Sequence, residues 1–389
     1  MKILFLEAVQ DYGGARKSTV ELATRLQDKG NEVLVVDFWG SCRPFVKAAE
    51  MNNIQLQILD KRDEPILLSS NNKLKQVKNY ITYLKKWLYY RKKITKIIRD
   101  FKPQMIVVNN VKTLSILRKR VEYKIAYFAR GWFLPNSINK FNRFIIRNTT
   151  DLYIGVSQST RQAIYAGGFA SLEKIFVIPN AIDFDKMQKI KRNSASLLDW
   201  HLEANDRPFI IMDCGGFLPS KGQHITIEIA KGMRDRRINF KFLLVGIIYK
   251  GSASEQYCKQ LLNEIKKNDL ESYFEVVLNE NEVIKYFTRM DVLIHPSATE
   301  GLPRVVMEAM ALGKPVVGNP VGGMTDYILH GFTGFLANYN SVKDYVDYCC
   351  ELEKNKDLYG FMSKNASQLI ERCYTVHNQL NQFSKIVLD

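Results

Sequence analysis

The chain has 389 residues, 46% apolar and 25% charged; these are the proportions of a globular protein, with more length than one typical core uses. No apolar run reaches the roughly 20 residues of a membrane span, and Met1-Lys-Ile-Leu-Phe-Leu-Glu7 is too short for a secretory signal. Six cysteines without Cys-x-x-Cys spacing are expected as free thiols in a reducing cytoplasm, and the net charge of +16 asks for an anionic partner.

Strand-like runs come first at 3–6, 33–38, 54–59, 105–108, 125–128, 152–156 and 175–178, with helix-like segments between them. A polar, charged passage follows Pro179-Asn-Ala-Ile-Asp183 and lasts to about Arg207. The theme then restarts at 209–213, 242–245, 274–278, 292–295 and 315–317, and from Val342 onward the pattern is helical. Strands alternating with helices predict α/β domains, each a doubly wound parallel sheet. The expected division is 1–185 and 186–372, with a terminal helix over about 373–389 packing back on the first domain.

The first strand runs into Asp11-Tyr-Gly-Gly-Ala-Arg-Lys-Ser-Thr19, just ahead of a helix. Gly13 and Gly14 allow a ligand close to the backbone, the helix start offers N–H groups, and Arg16 and Lys17 add positive charge. The spacing is neither that of a P-loop nor that of the three-glycine dinucleotide fingerprint. Arg130 follows the strand at 125–128, on the edge where open α/β sheets hold ligands. There it serves either a phosphate or a structural ion pair.

Between Lys73 and Lys102 stand eleven Lys or Arg and one acid, Asp100, a net charge of +10. Val77, Ile81, Leu84, Leu88, Ile94, Ile98 and Phe101 fall near one face of the predicted helix, with Lys78, Lys85, Lys92, Lys96 and Arg99 along another. Basic residues flanked by Tyr83, Trp87, Tyr89 and Tyr90 suit a helix lying on an anionic membrane surface. A core-packed helix with a solvated basic face is the alternative. Nucleic acid is not expected, because no recognised binding module accompanies the charge.

The second half opens with a strand, the loop Cys214-Gly-Gly-Phe-Leu-Pro-Ser-Lys221 and a helix, placing Lys221 where its ammonium can reach a phosphate. Further on, Asp291 to Asn319 reads as a buried strand, a loop carrying Glu300, a helix over about 304–312 carrying Glu308, and a second buried strand. Both carboxylates can then serve one ligand beside a helix N-terminus. Lys221 for phosphates and the two glutamates for two sets of hydroxyls describe a nucleotide sugar. Asp183-Phe-Asp185 matches an Asp-x-Asp metal pattern but falls in the inter-domain passage, and no metal site is expected. His295 ends a buried strand and is expected to be structural.

With these pieces in order, the chain resembles a retaining glycosyltransferase of the family-4 type, over nearly its whole length. The resemblance rests on Gly13-Gly-Ala15, Val156-Ser157, Val177-Ile-Pro-Asn-Ala-Ile-Asp183, Gly215 to Lys221-Gly222, Pro296-Ser297 leading to Glu300-Gly301, Glu308-Ala-Met-Ala-Leu-Gly-Lys-Pro-Val-Val317 and Val321-Gly-Gly323. It implies the GT-B architecture: two facing Rossmann-like domains with the active site in the cleft between them. By the resemblance Glu308 binds the donor's ribose, and Glu300 holds the donor sugar with help from the N–H groups of Gly301 and Leu302. Lys221 neutralises the diphosphate, and Gly13 and Gly14 approach the donor from the other domain.

The family commonly has Arg where this chain has Gly216, so a diphosphate contact is missing or is replaced by Arg16 or Arg304. It often has His where this chain has Arg130, which suggests a phosphate- or carboxylate-bearing acceptor. The implied activity is metal-independent transfer of a hexose-type sugar from a UDP- or GDP-linked donor to a saccharide or lipid-linked acceptor of the cell envelope. The implied place is the cytoplasm, at the inner face of the membrane. The alternatives are an impaired family member acting as a membrane-surface scaffold and a nucleotide-sugar epimerase of the same fold.

Overall fold

The computed structural model describes residues 1–8, 12–61, 73–132, 138–202, 207–249, 253–280 and 283–388. Asp11 of the first glycine loop and residues 133–135 after Arg130 lie outside the described residues. The chain divides into two units, Met1–Pro179 with Gln379–Asp389, and Asn180–Asn378. The sequence reading set this boundary at 185 and the terminal segment at 373.

In the first unit the strands are β1 (Lys2–Glu7), β2 (Glu32–Asp37), β3 (Gln55–Ile58), β4 (Met105–Val108), β5 (Lys124–Ala129), β6 (Leu152–Gly155) and β7 (Ile175–Val177). Their order in the sheet is β3-β2-β1-β4-β5-β6-β7, every pairing parallel. The helices are α1 (Gly14–Asp28), α2 (Arg43–Met51), α3 (Lys73–Phe101), α4 (Val111–Ser115), α5 (Lys140–Thr149) and α6 (Gln158–Ala166). Met105, Ile106, Val107 and Val108 are all buried, as expected where helices cover both faces of a parallel sheet and each strand reads as a continuous apolar run.

Helix α3 changes character along its length. Tyr90, Ile94, Ile97 and Phe101, spaced by four, three and four residues, are buried in the core. Tyr90 packs against Phe38 and Trp39, and its hydroxyl donates to Asp60 Oδ2 at 2.8 Å. In the first half of the helix, Leu74, Val77, Ile81, Leu84 and Leu88 are exposed instead. The single apolar face expected over the whole helix is therefore corrected: it is two faces, packed after Leu88 and bare before it.

The second unit carries β8 (Phe209–Gly216), β9 (Phe240–Ile247), β10 (Phe274–Leu278), β11 (Val292–His295), β12 (Val316–Gly318) and β13 (Phe335–Leu336), ordered β10-β9-β8-β11-β12-β13 and all parallel. Its helices are α7 (Phe184–Leu202), α8 (Gln223–Asp235), α9 (Ala253–Lys267), α10 (Ile284–Phe287), α11 (Arg304–Ala311), α12 (Met324–Tyr327), α13 (Val342–Lys354) and α14 (Lys356–Cys373). The unit boundary falls inside a last helix, α15 (Val376–Phe383). Vicinal Cys349 and Cys350 are buried in α13.

The passage read as an inter-domain linker is largely α7. Asp183 Oδ1 accepts from the Lys186 N–H at 3.0 Å, an N-cap contact, and Gln188 Nε2 donates to the Ala311 carbonyl at 2.7 Å. Over its described side chains, 184–193, the helix is polar and mostly solvated, the composition of a linker, so the sequence did not separate the two.

Candidate functional site

In each sheet the strand order reverses once, between β1 and β4 and between β8 and β11. An open parallel sheet leaves a crevice at the C-terminal ends of the two strands flanking that reversal. In the second unit, β8 leads to Lys221 and β11 leads to Glu300, so one crevice receives both.

The two loops are bound to each other. Ser220 O accepts from the Ala298 N–H at 2.8 Å and from Ser297 Oγ at 3.0 Å. Gly222 adopts φ +78°, and a Cβ there would lie 2.2 Å from Pro296 O. Both the left-handed conformation and the close approach require glycine at this position. Further anchors fix the rest of the loop: Asn319 Nδ2 donates to Ser297 O at 3.1 Å, Gly323 N–H to Gly301 O at 3.0 Å, and Asn180 Nδ2 to Leu302 O at 2.8 Å. With their carbonyls so held, the N–H groups of Gly301 and Leu302 form no hydrogen bond among the described residues.

Glu300 is the centre of the site. Its Oε1 accepts from Lys221 Nζ at 2.7 Å and from His295 Nε2 at 2.7 Å. The carboxylate is an acceptor, so His295 carries its proton on Nε2, and its buried Nδ1 has no partner among the described residues. Burial alone would raise the Glu300 carboxyl. The Lys221 ammonium, then His295, through charge and hydrogen bonds, outweigh burial and hold it at about 2. His295, read from sequence as structural, is thus in direct contact with the predicted sugar-binding carboxylate. Only the register of β11 beside the loop reveals this.

Beneath this group lies Asp213 of β8, paired in register with Ile294. It is buried, and Thr226 Oγ1 donates to its Oδ2 at 2.6 Å. Burial pushes its carboxyl up to about 6, against the Thr226 bond and the charges of His295 and Lys221. The sequence offered no signal for it: one acid inside an apolar strand.

Glu308 sits on α11, one turn from the helix start, with Arg304 Nη2 3.7 Å from its Oε1. Arg304 Nη1 donates to the Ala181 carbonyl at 2.9 Å. In the absence of a ligand the Arg304 guanidinium is thus shared between Glu308 and the Ala181 carbonyl. Gly216 has a neighbour the sequence does not show. A Cβ there would fall 2.8 Å from the Tyr249 ring, so Tyr249 occupies the space that a side chain at 216 would need.

The first unit presents its own crevice. Gly13 is the N-cap of α1 in extended backbone, with open space where a Cβ would stand, and Gly14 is exposed. Arg16, expected to offer its charge to a ligand, is fully buried. Its guanidinium meets Asp37 at 2.9 and 3.3 Å and lies 4.3 Å from the Phe45 ring centroid. It sits on the inward side of α1 opposite an acid at the end of β2, a pairing visible only in the fold. Arg130 stays half-buried at the end of β5, with its guanidinium 3.8 Å from the Phe128 ring centroid. Its charge acts on Glu7, a buried acid at the end of β1. Burial raises the Glu7 carboxyl, opposed by hydrogen bonds from Thr19 and Asn109 and by the charges of Arg16 and Arg130.

Two family models match the chain: Glycosyltransferase Family 4 over residues 12–186 and Glycosyl transferases group 1 over residues 197–369. An uncharacterized glycosyltransferase of Methanocaldococcus jannaschii is 31% identical over 41% of this chain and 42% of its own length. The UDP-Gal:alpha-D-GlcNAc-diphosphoundecaprenol alpha-1,3-galactosyltransferase of Escherichia coli is 23% identical over 56% of this chain and 54% of its own. The chain thus spans about half the length of these two relatives. Among solved structures, Anabaena HepE in complex with UDP and glucose superposes with a TM-score of 0.78, 22% identity, and coverage of 99% of this chain and 98% of that one. At that identity the likeness is one of fold.

Proposed function

Since the chain belongs to the GT-B glycosyltransferases of the family-4 type, we propose that it moves a hexose-type sugar from a nucleoside-diphosphate donor to a hydroxyl of a lipid-linked or cell-envelope saccharide, with retention of the anomeric configuration. One observation carries the reading: Lys221 and Glu300 meet at 2.7 Å in the crevice at the β8/β11 reversal, beside the start of α11. The relatives support its direction, one of them named for a lipid-diphosphate acceptor.

Breaking the sugar–phosphate bond leaves negative charge on the diphosphate and positive charge on the anomeric carbon. In this reading the Lys221 ammonium and the start of α11 stabilise the departing diphosphate, and the N–H groups of Gly301 and Leu302, which no carbonyl among the described residues occupies, help hold the donor sugar. The acceptor hydroxyl attacks on the face the phosphate leaves and passes its proton to the departing phosphate oxygen. No protein nucleophile is required, and the scheme needs no metal. Glu300 holds sugar hydroxyls, and Glu308 holds the ribose.

The exposed stripe Leu74-Val77-Ile81-Leu84-Leu88 on a strongly basic helix supports a further part of the proposal, that the protein works in the cytoplasm at an anionic membrane surface. Incubation with a panel of UDP- and GDP-sugars, measuring nucleotide release, tests the catalytic reading. Release from one donor, abolished in Lys221→Ala, is the expected result. Absence of both release and nucleotide binding supports the scaffold reading instead.

A further inference from the structure

The face of α3 that is bare and apolar before Leu88 does not end there; its chemistry changes. Continuing in helical steps from Leu88, the same face presents Arg91, Lys92, Thr95, Arg99 and Lys102. Opposite this second half runs the segment from Ile116 to Tyr123, and between the two lies a groove of about 1200 Å³. Ile94, Ile98 and Leu117 contribute apolar side chains to its lining. Among the described residues eight Lys or Arg line it against a single acid, Glu122.

The cations of this groove are poorly balanced. Among the described residues, no salt bridge joins an acid to Arg91, Lys92, Lys102, Arg118 or Arg120. Arg91 and Arg118 face each other as like charges: burial and then the Arg118 charge draw Arg91 below its ordinary value. Like charges held together without a counter-ion favour binding a dense negative charge. A small inorganic anion would satisfy the arginines but leave the apolar lining and the adjoining stripe uncovered.

We propose that this groove seats one anionic phospholipid, its phosphate between Arg91, Arg118 and Arg120 and its chains on Ile98 and Leu117, passing onto the Leu88-Leu84-Ile81 stripe. The stripe from Leu74 to Leu88 covers about 21 Å of helix, enough length for a substantial part of an acyl chain. Leu88 belongs to both surfaces, which makes them one continuous site. This inference rests on the membrane-surface reading above and deepens it, from general attraction of basic residues to recognition of a single headgroup.

The test titrates the full chain by calorimetry with dihexanoyl phosphatidylglycerol below its micelle concentration, and in parallel with dihexanoyl phosphatidylcholine and inorganic phosphate at fixed ionic strength. Phosphatidylglycerol is expected to saturate at one per chain and to bind at least tenfold more tightly than either control. Arg91→Ala/Arg118→Ala, and separately Arg120→Glu, should weaken it at least tenfold with donor hydrolysis unchanged, which shows that the variants are folded. Equal binding of inorganic phosphate, or indifference to these substitutions, overturns the proposal. Retention of the chain by phosphatidylglycerol vesicles without uptake of the monomeric lipid overturns the groove and leaves the surface reading standing. Saturable uptake of monomeric lipid without vesicle retention supports the groove and sinks the surface reading.

Discussion

Lys221 Nζ lies 2.7 Å from Glu300 Oε1 although 79 residues separate them in sequence, one after β8 and one after β11. Each residue fixes the other before any donor arrives. In the proposed reaction a bound diphosphate would compete for the ammonium, which would couple donor binding to sugar positioning at this pair.

Replacing Glu300 with Gln removes the shared counter-charge of Lys221 and His295. Transfer is expected to fall about 100-fold or more, the usual cost of losing a preorganised polar contact at a reacting centre, with donor affinity changed far less. Stability also responds. The Glu300 carboxyl is held at about 2, below its ordinary 4.5, so its contribution is fully present above pH 4.5 and disappears as pH falls toward 2. Denaturation curves at pH 7 should show a loss on the order of 3 kcal/mol in the variant, shrinking as the medium is acidified. A loss independent of pH would contradict the ionic arrangement.

Asp213 should behave with the opposite sign. Its carboxyl is pushed up to about 6 from 3.8, so ionising it in the fold carries a cost, fully present above pH 6 and gone below about pH 4. Asp213→Asn, which keeps an acceptor for Thr226, is expected to stabilise the protein at pH 8 by up to about 3 kcal/mol. Chemical denaturation at pH 8 and pH 4 measures this. An equal effect at both values rules out the linkage.

Gly216→Arg restores the residue the family commonly carries and drives it into the Tyr249 ring. The atoms in the way are the far end of a half-buried side chain, so the cost should stay below the roughly 1–3 kcal/mol of overpacking a tight core and the single variant should melt slightly earlier than the parent. Tyr249→Ala in the same chain opens the space and should recover most of the loss. Thermal unfolding of the two variants decides whether Tyr249 or the loop backbone occupies the place of the missing side chain.

At Gly222 the backbone conformation and the Pro296 carbonyl both exclude a Cβ. Gly222→Ala is expected to destabilise by about 2 kcal/mol or more and to weaken donor binding, because the loops bearing Lys221 and Glu300 must separate. A variant with unchanged stability and affinity would show that the two loops need no fixed register.

The sequence by itself determined every strand but the two-residue β13, most plainly where a buried parallel strand is an apolar run bounded by polar loops, as at 105–108 and 292–295. It also marked Lys221, Glu300 and Glu308, because their place after strands and at a helix start follows from local order. Partners distant along the chain were not legible. His295 touching Glu300, Asp213 beneath both, Tyr249 over Gly216 and Asp37 against Arg16 depend on strand order and register, which no local pattern encodes. Arg16 shows the physical reason most plainly: the same guanidinium that would bind an anion at the surface becomes a buried structural pair once α1 turns it toward β2. Helix α3 shows it too, for only its packing against Phe38 and Trp39 decides which apolar residues are core and which are left bare.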